Sequence, residues 1–341
     1  MQHRVAIHDR PGSFSDRWRV WCEERRIPHV VVDGLAPDII GTLRGCTALL
    51  WHFSQNESAD LLAARHVLTA AELMGLRVFP DAATSWHFDD KIAQKYLLEA
   101  AGAPLAPVTV LYDRASAERW AASATFPKVF KLRRGAGSVN VRLIRSRREA
   151  ASLVRQAFGA GFVPYRGALA GAAQRVASAR ASGGLGALVR RAPSAVARRL
   201  RLRRSVPPEV GYLYVQDYLP GNAFDTRVTV IGGRAFSFTR NVRPGDFRAS
   251  GSGSIDYDRG RIDPRCLRIA LDVTRRIRAQ SCAFDFAFAE DGTPRVLEVS
   301  YGYKASAVHA CEGYWDEGLD WHPGHCWPQD LIIQDLLEGG A

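Results

Sequence analysis

The 341-residue chain contains no run of about 18 or more uncharged apolar residues, so no membrane-spanning helix is expected. Its start, Met1 to Arg10, has no apolar stretch of the kind a secretory leader requires, and reads instead as a first strand running into a loop. The glycine fingerprint of a dinucleotide loop is missing after that strand, where His8-Asp-Arg-Pro-Gly-Ser13 stands, so no NAD is expected. The Gly-Lys-Ser/Thr order of a P-loop is missing too, as is any convincing Ser–His–Asp or Cys–His arrangement. Six cysteines (Cys22, Cys46, Cys266, Cys282, Cys311, Cys326) are scattered through the chain and read as mostly reduced core residues of a cytoplasmic protein. Cys311, His322, His325 and Cys326 fit no paired zinc spacing.

The most informative scarcity is local. Residues 155–208 hold 11 arginines and no Asp, Glu or Lys, whereas basic and acidic residues balance elsewhere. The net charge of +11 therefore lies in one segment, and a general basic pI says little about the rest. Leu185–Arg191 and Ala195–Arg204 can form basic amphipathic helices. Three readings stay open: a solvated arginine-rich loop, a peripheral contact with anionic lipid at the inner membrane surface, or a contact with a polyanionic substrate. No nucleic-acid motif is present, and none is expected as a partner.

Residues 1–80 alternate strand and helix. Val5–His8, His29–Val32, Ala48–Phe53 and Arg77–Phe79 read as strands; Asp16–Arg26 and Glu57–Met74 have helical spacing. This rhythm predicts a parallel sheet covered by helices, an α/β arrangement. A helix follows at 89–101, stopped by Gly102 and Pro104. Strands are then expected at Val108–Tyr112, Lys128–Leu132, Val139–Ile144, Leu213–Leu219, Arg227–Ile231 and Arg234–Thr239. A helix at about Pro264–Gln280, a hairpin of Cys282–Ala289 with Pro294–Ser300, and a final helix Pro328–Leu337 complete the chain.

The hairpin carries the strongest chemical signal. Glu298 and Ser300 share a strand face, and a turn centred on Asp291-Gly292 puts Asp285 across from Glu298. Facing carboxylates inside apolar strands need something positive between them. Two carboxylates and a hydroxyl suit Mg²⁺ arriving with phosphate oxygens. Lys131-Leu-Arg-Arg-Gly-Ala-Gly-Ser138-Val-Asn140 joins a strand-ending lysine to a glycine-serine loop, a way to hold phosphates or simply a mobile hairpin. In Tyr214 to Arg227 an extended segment meets a turn, then Asp225-Thr-Arg227, where Asp225 can accept from a ribose hydroxyl. Arg240, and Arg248 within Gly245-Asp-Phe-Arg-Ala-Ser250, can grip phosphate with a planar fork.

In this order the pieces resemble the ATP-grasp superfamily, and within it RimK-like glutamate ligases and glutathione synthetases. The likeness runs from Asp90-Lys91 to Ser300. A narrower likeness is to related ligases encoded among surface-polysaccharide genes. The resemblance implies an N-terminal parallel α/β pre-ATP-grasp domain (1–88), a lid subdomain (89–215) with the Arg-rich insertion, and a C-terminal antiparallel-sheet subdomain (216–341). It implies ATP as cofactor with two Mg²⁺, for which Mn²⁺ substitutes. Lys91, Lys131 and Ser138 would bind phosphates; Asp217, Tyr218 and Leu219 would line the adenine hinge; Asp225 would hold the ribose. Arg240, Arg248 and Lys131 would act in catalysis, and Asp285, Glu298 and Ser300 would ligate metal. Ser300 and Ser250 stand where the family has asparagine.

The implied activity is an ADP-forming acid–amine ligase, joining for instance an amino acid to a sugar acid or glycan precursor. A kinase, or a non-catalytic nucleotide-binding protein, would use the same residues, and a homodimer is left open. On the substrate side, His52, Arg227, Tyr301, Tyr303 and Lys304 are the candidates, and the aromatics of these stretches can equally be side chains that cap the core.

Overall fold

The computed structural model describes residues 4–135, 140–163, 208–242 and 254–339. The chain forms two compact units, one of residues 1–88, 93–105 and 219–341, the other of 89–92 and 106–218. The N-terminal segment and the C-terminal third belong to one unit.

That unit begins with a parallel sheet in the order β2-β1-β3-β4, made of β1 (Val5–His8), β2 (His29–Val32), β3 (Ala48–Leu50) and β4 (Arg77–Phe79). All four residues of β1 are buried, as expected of a strand covered on both faces. Helices α1 (Phe14–Glu24), α2 (Ile39–Thr42), α3 (Ser58–Leu73) and α4 (Ala82–Ser85) intervene. Ser13 caps α1 by accepting from the Ser15 N–H. The helix α5 (Lys91–Ala100) follows.

The same unit holds an antiparallel sheet in the order β13-β12-β9-β10-β14-β15, with β11 (Ile255–Asp256) on β10. Its central members are β9 (Phe224–Ile231), β10 (Arg234–Asn241), β12 (Ser281–Phe288) and β13 (Pro294–Ser300). Alternation divides the faces. Val228, Val230, Cys282, Phe284 and Phe286 pack with Cys266, Leu267, Ala270 and Ile277 of α8 (Pro264–Ile277). On the opposite face, Ile231, Phe236, Phe238 and Ala283 join the core that holds the parallel sheet. The remaining elements are α9 (Ala305–His309), β14 (Gly313–Trp315), β15 (Trp321–Pro323) and α10 (Pro328–Glu338). Helix α10 ties the C-terminus to α1: Arg17 forks onto Asp330 at 2.7 and 2.6 Å, and Trp18 Nε1 donates to the Gln329 carbonyl at 3.0 Å.

The second unit is an antiparallel sheet β5-β8-β6-β7, built from β5 (Val108–Leu111), β6 (Lys128–Lys131), β7 (Val141–Ile144) and β8 (Leu213–Asp217). Two helices absent from the sequence reading, α6 (Arg114–Ser123) and α7 (Arg147–Ala157), cover one face with Ala117, Ala121, Ala150, Leu153 and Val154. Arg155, expected to open the basic insertion, lies in the last turn of α7.

Most of the basic segment lies outside the described residues, but its base does not. Phe162 and Glu209 exchange two backbone hydrogen bonds, at 2.9 and 2.8 Å. Gly161, at φ +70°, passes so close that a Cβ there would sit 2.7 Å from the Glu209 carbonyl oxygen. The chain therefore leaves and returns at one point. Among the described residues, no helix is long and apolar enough to cross a membrane.

A stem closed by backbone bonds predicts that the intervening chain is dispensable for folding. Replacing 164–207 with a short Gly-Ser linker should leave the thermal unfolding temperature unchanged or slightly raised, since each halving of a loop returns only about 0.6 kcal/mol. A fall of about 5 °C or more would place that segment in the core.

Candidate active site

In the hairpin β12–β13, the Ala289 N–H reaches the Thr293 carbonyl, and Phe288 pairs with Pro294. This turn is centred one half-step earlier than expected. Continued without interruption it would put Leu297, not Glu298, across from Asp285. A β-bulge at Asp285/Phe286 adds the missing residue, and Asp285 does face Glu298. The expected juxtaposition is present, by a device the sequence did not reveal.

Asp285 also pairs across the ladder with Arg227 on β9, and Arg240 on β10 pairs with Asp225 on β9. These residues share one face and form a chain of alternating charge. Arg227 forks onto Asp285, with Nε–Oδ1 at 2.7 Å and Nη2–Oδ2 at 2.8 Å. Arg240 forks onto Asp225 at 2.7 and 2.5 Å, and its Nη2 also lies 2.9 Å from Asp285 Oδ2. Burial alone would push the Asp285 carboxyl up, but the two guanidinium groups hold it well below the usual carboxylate range. Arg240 in turn is held more firmly protonated by the two aspartates.

Two sequence expectations change here. Asp225 was expected to accept from a ribose; both its oxygens are bonded to Arg240, and the side chain is buried, so in this structure it holds that arginine in place. Arg227 was a substrate candidate; its fork is spent on Asp285. Each reassignment has the same cause, that a buried charge requires an opposite one bonded to it.

The donor set suits Mg²⁺ only with help. Among the described residues no three or more His, Cys, Asp or Glu side chains gather into a metal cage. Asp285 already accepts two hydrogen bonds from Arg227 and lies in an ion pair with Arg240, which leaves only part of its acceptor capacity. Ser300 Oγ accepts from Gly302 N at 3.0 Å and donates to Gly302 O at 3.1 Å, which leaves it one lone pair. Oxygen donors of this kind fit Mg²⁺ when phosphate oxygens complete the shell.

In the second unit, Lys131 ends β6 and is buried. It pairs with Tyr214 on β8, and Val129 pairs with Gln216, so these four share a face opposite the helix-covered one. Gln216 Nε2 is buried with no hydrogen-bond partner. The sequence reading passed over it, although a polar residue inside an apolar strand was the signal used for Asp285. Lys91 is buried, and its Nζ donates to the Gly135 carbonyl at 2.7 Å. The Gly135 N–H donates to Asp89 Oδ1 at 2.8 Å, so the segment 89–91 straps the loop that follows Lys131. Asp217 ends β8 with its carboxylate on Lys128 at 2.6 Å, and Tyr218 beyond it is half-buried. Leu219, half-buried, opens the C-terminal stretch of the other unit. Ser138, Arg248 and Ser250 lie outside the described residues.

The aromatic candidates are core. Tyr301 is 0% exposed and donates to the Phe53 carbonyl at 2.7 Å; Tyr303 is 8% exposed and its hydroxyl meets Ser281 Oγ at 2.8 Å. Between them Gly302 is forced, because a Cβ would come within 2.9 Å of the Phe88 ring. His52 stacks on Phe14 at 3.8 Å, and its Nδ1 meets Arg10 Nη2 at 2.9 Å. Burial, then Arg10, pushes its pKa down to about 3, so the ring is neutral and Nδ1 is the acceptor. Lys304 alone of the substrate candidates is exposed.

The chain has solved counterparts in architecture. It is similar to the RimK domain ATP-grasp protein from Sphaerobacter thermophilus DSM 20745, with TM-score 0.56 and 16% identity over 98% of this chain and 99% of that one. It is similar to the ATP-grasp ligase PsnB complexed with minimal precursor, with TM-score 0.59 and 14% identity over 99% of each chain. D-Alanine–D-alanine ligase from Bacillus anthracis, complexed with ATP, aligns at TM-score 0.56 and 12% identity over 99% of this chain and 98% of that one. The chain has the ATP-grasp fold. At these identities the likeness is one of architecture. No protein-family model and no curated protein matches the sequence.

The charge row should also be a stability element. Asp285→Ala would strand Arg227 and cost about 3 kcal/mol in urea unfolding. Replacing Arg227 and Asp285 together by leucine should recover most of that. A single-variant loss below about 0.5 kcal/mol would mean that solvent screens the pair.

Proposed function

We propose that this chain is an ATP- and Mg²⁺-dependent ligase that activates a carboxylate as its acyl phosphate and couples it to an amine. The observation that carries the reading is the row Asp225–Arg240–Asp285–Arg227, with Glu298 facing Asp285, on an ATP-grasp sheet. It is a site built to manage phosphate charge. The chain's cysteines are not activated as nucleophiles: they are free, and burial pushes Cys266, Cys282 and Cys311 up to about 12. A reaction in which the substrate's own carboxylate attacks the γ-phosphorus needs none.

The residues divide the work as follows. Lys131 and Lys91 bind phosphate oxygens as point charges. Gln216 Nε2 offers its unused donor to a base edge, beside the backbone of 217–219. The face bearing Val129 and Tyr214 suits a flat ring. Arg240, with Arg248, offsets the charge that develops on the phosphoryl oxygens as the carboxylate adds and ADP leaves. The amine then displaces phosphate from the acyl group. Asp285 and Glu298, with Ser300, would hold Mg²⁺, which supplies Lewis-acid neutralisation of the phosphate oxygens. Support for the metal and nucleotide comes from the architectural likeness: one PsnB structure holds Mg and ADP, and the D-alanine–D-alanine ligase structure holds ATP. An amino acid joined to a sugar acid or glycan precursor is the pairing we favour, with Lys304 exposed beyond the metal strand.

Phosphorus NMR of the full chain with Mg²⁺-ATP and pooled acids and amines tests this. ADP and free phosphate should appear only when both an acid and an amine are present. Glu298→Gln should lower that turnover by about 100-fold or more while the protein stays folded. A new phosphoester signal without free phosphate would make the protein a kinase and remove the acyl-phosphate mechanism.

A further inference from the structure

The stem of the Arg-rich insertion and the loop after Lys131 meet at one side chain. Tyr212 stands just before β8, two residues from Tyr214, which pairs with Lys131. Its hydroxyl accepts from the Arg133 N–H at 2.7 Å and donates to Glu209 Oε2. Burial, and then the bond to Glu209, push that hydroxyl up, so it stays protonated and its proton points at the carboxylate. Glu209 is fixed in turn by the stem. It exchanges both backbone hydrogen bonds with Phe162, whose ring centroid lies 4.8 Å from that of Phe130 on β6. The Gly211 N–H reaches the Ala157 carbonyl at 2.9 Å and ties the same stretch to the end of α7. All these residues belong to the second unit.

At the loop, Arg133 is held at both backbone groups. Its N–H goes to Tyr212, and its carbonyl accepts from the Lys91 N–H at 3.0 Å. Fixing the backbone at 133 sets the direction in which the chain leaves β6, directly after Lys131 and toward Gly135, where Lys91 Nζ is bonded. Glu209 Oε1 is buried with no hydrogen-bond partner. A buried acceptor left unmet costs stability, so fold stability gains little from this carboxylate, whereas the direction of the Tyr212 hydroxyl depends on it.

We infer that Tyr212 is a positioning residue for the nucleotide's phosphates: oriented by Glu209, it clamps the Arg133 amide, so that the geometry of the insertion's stem sets the geometry of the loop after Lys131. The inference rests on the reading of Lys131 and Lys91 as phosphate-binding groups and adds to it the residues that place them. Tyr212 acts through the loop backbone, so its effect falls on the phosphate end of the ligand.

The test measures binding of ATP and of adenosine to the full chain, each by displacement of a fluorescent ATP analogue, with thermal unfolding as the check on folding. Tyr212→Phe keeps the ring and removes both bonds. It should weaken ATP by about five-fold or more, the size of one lost hydrogen bond or two, and leave adenosine unchanged. Glu209→Gln, which keeps an acceptor for the hydroxyl, should retain most of the ATP binding that Glu209→Ala loses. Gly161→Ala acts from the stem alone, since a Cβ there would sit 2.7 Å from the Glu209 carbonyl oxygen. It should weaken ATP in the same direction, and add no further loss to Tyr212→Phe, because both act through one clamp. Unchanged ATP binding in folded Tyr212→Phe, equal losses for ATP and adenosine, or additive losses in the double variant would each overturn the inference and leave the ATP reading standing. Wild-type protein that binds no fluorescent analogue would remove the ATP reading, and the inference with it.

Discussion

A carboxylate carried from water into an apolar sheet loses solvation worth several kcal/mol, and only bonded cations restore it. Asp285 is in that position. Its strand neighbours Phe284 and Phe286 are fully buried in the core beneath the sheet, so the strand cannot turn outward to rehydrate it. Arg227 and Arg240 must come to it, and they can because β9 and β10 run alongside in one fixed register. The register follows from the hydrophobic alternation, since a slip of one residue would swap the charged face with the core face. Core packing and charge placement are thus one constraint.

That constraint extends to the rest of the larger unit. The face bearing Asp285 also bears Ala283, and the neighbouring strands add Phe236 and Phe238, which pack with residues of the parallel sheet. Tyr301 and Tyr303 continue from β13 into the same core, and Gly302 between them lets the backbone pass Phe88. The end of β13 is fixed by this packing, and with it the position of Glu298. Of the two readings the sequence left open for Tyr301 and Tyr303, the structure places both in the core.

Much of this was legible in the sequence. The β-α-β rhythm of 1–80 and the two strands of the hairpin were readable because their apolar periodicity is strong. Helix α6 was not, because its buried face rests on two alanines, Ala117 and Ala121, which give little hydrophobic contrast; helix α7 was passed over although Leu153 and Val154 mark its buried face. The partners of Asp285 were hidden for another reason. Arg227 and Arg240 lie 58 and 45 positions away, and only the strand order β12-β9-β10 brings them alongside. The same blindness left Tyr301 and Tyr303 open between substrate and core: the sequence shows where β13 ends but not which surface receives the chain afterward. The bulge that seats Glu298 has no sequence mark at all.

The central claim is that the row of charges on β9, β10, β12 and β13 is the phosphate and metal end of an ATP site. The most direct measurement is an anomalous-difference map from crystals of the full chain grown with Mn²⁺ and AMPPNP. The account predicts a manganese peak within bonding distance of Glu298 and Asp285. A bound nucleotide whose manganese lies elsewhere would contradict it.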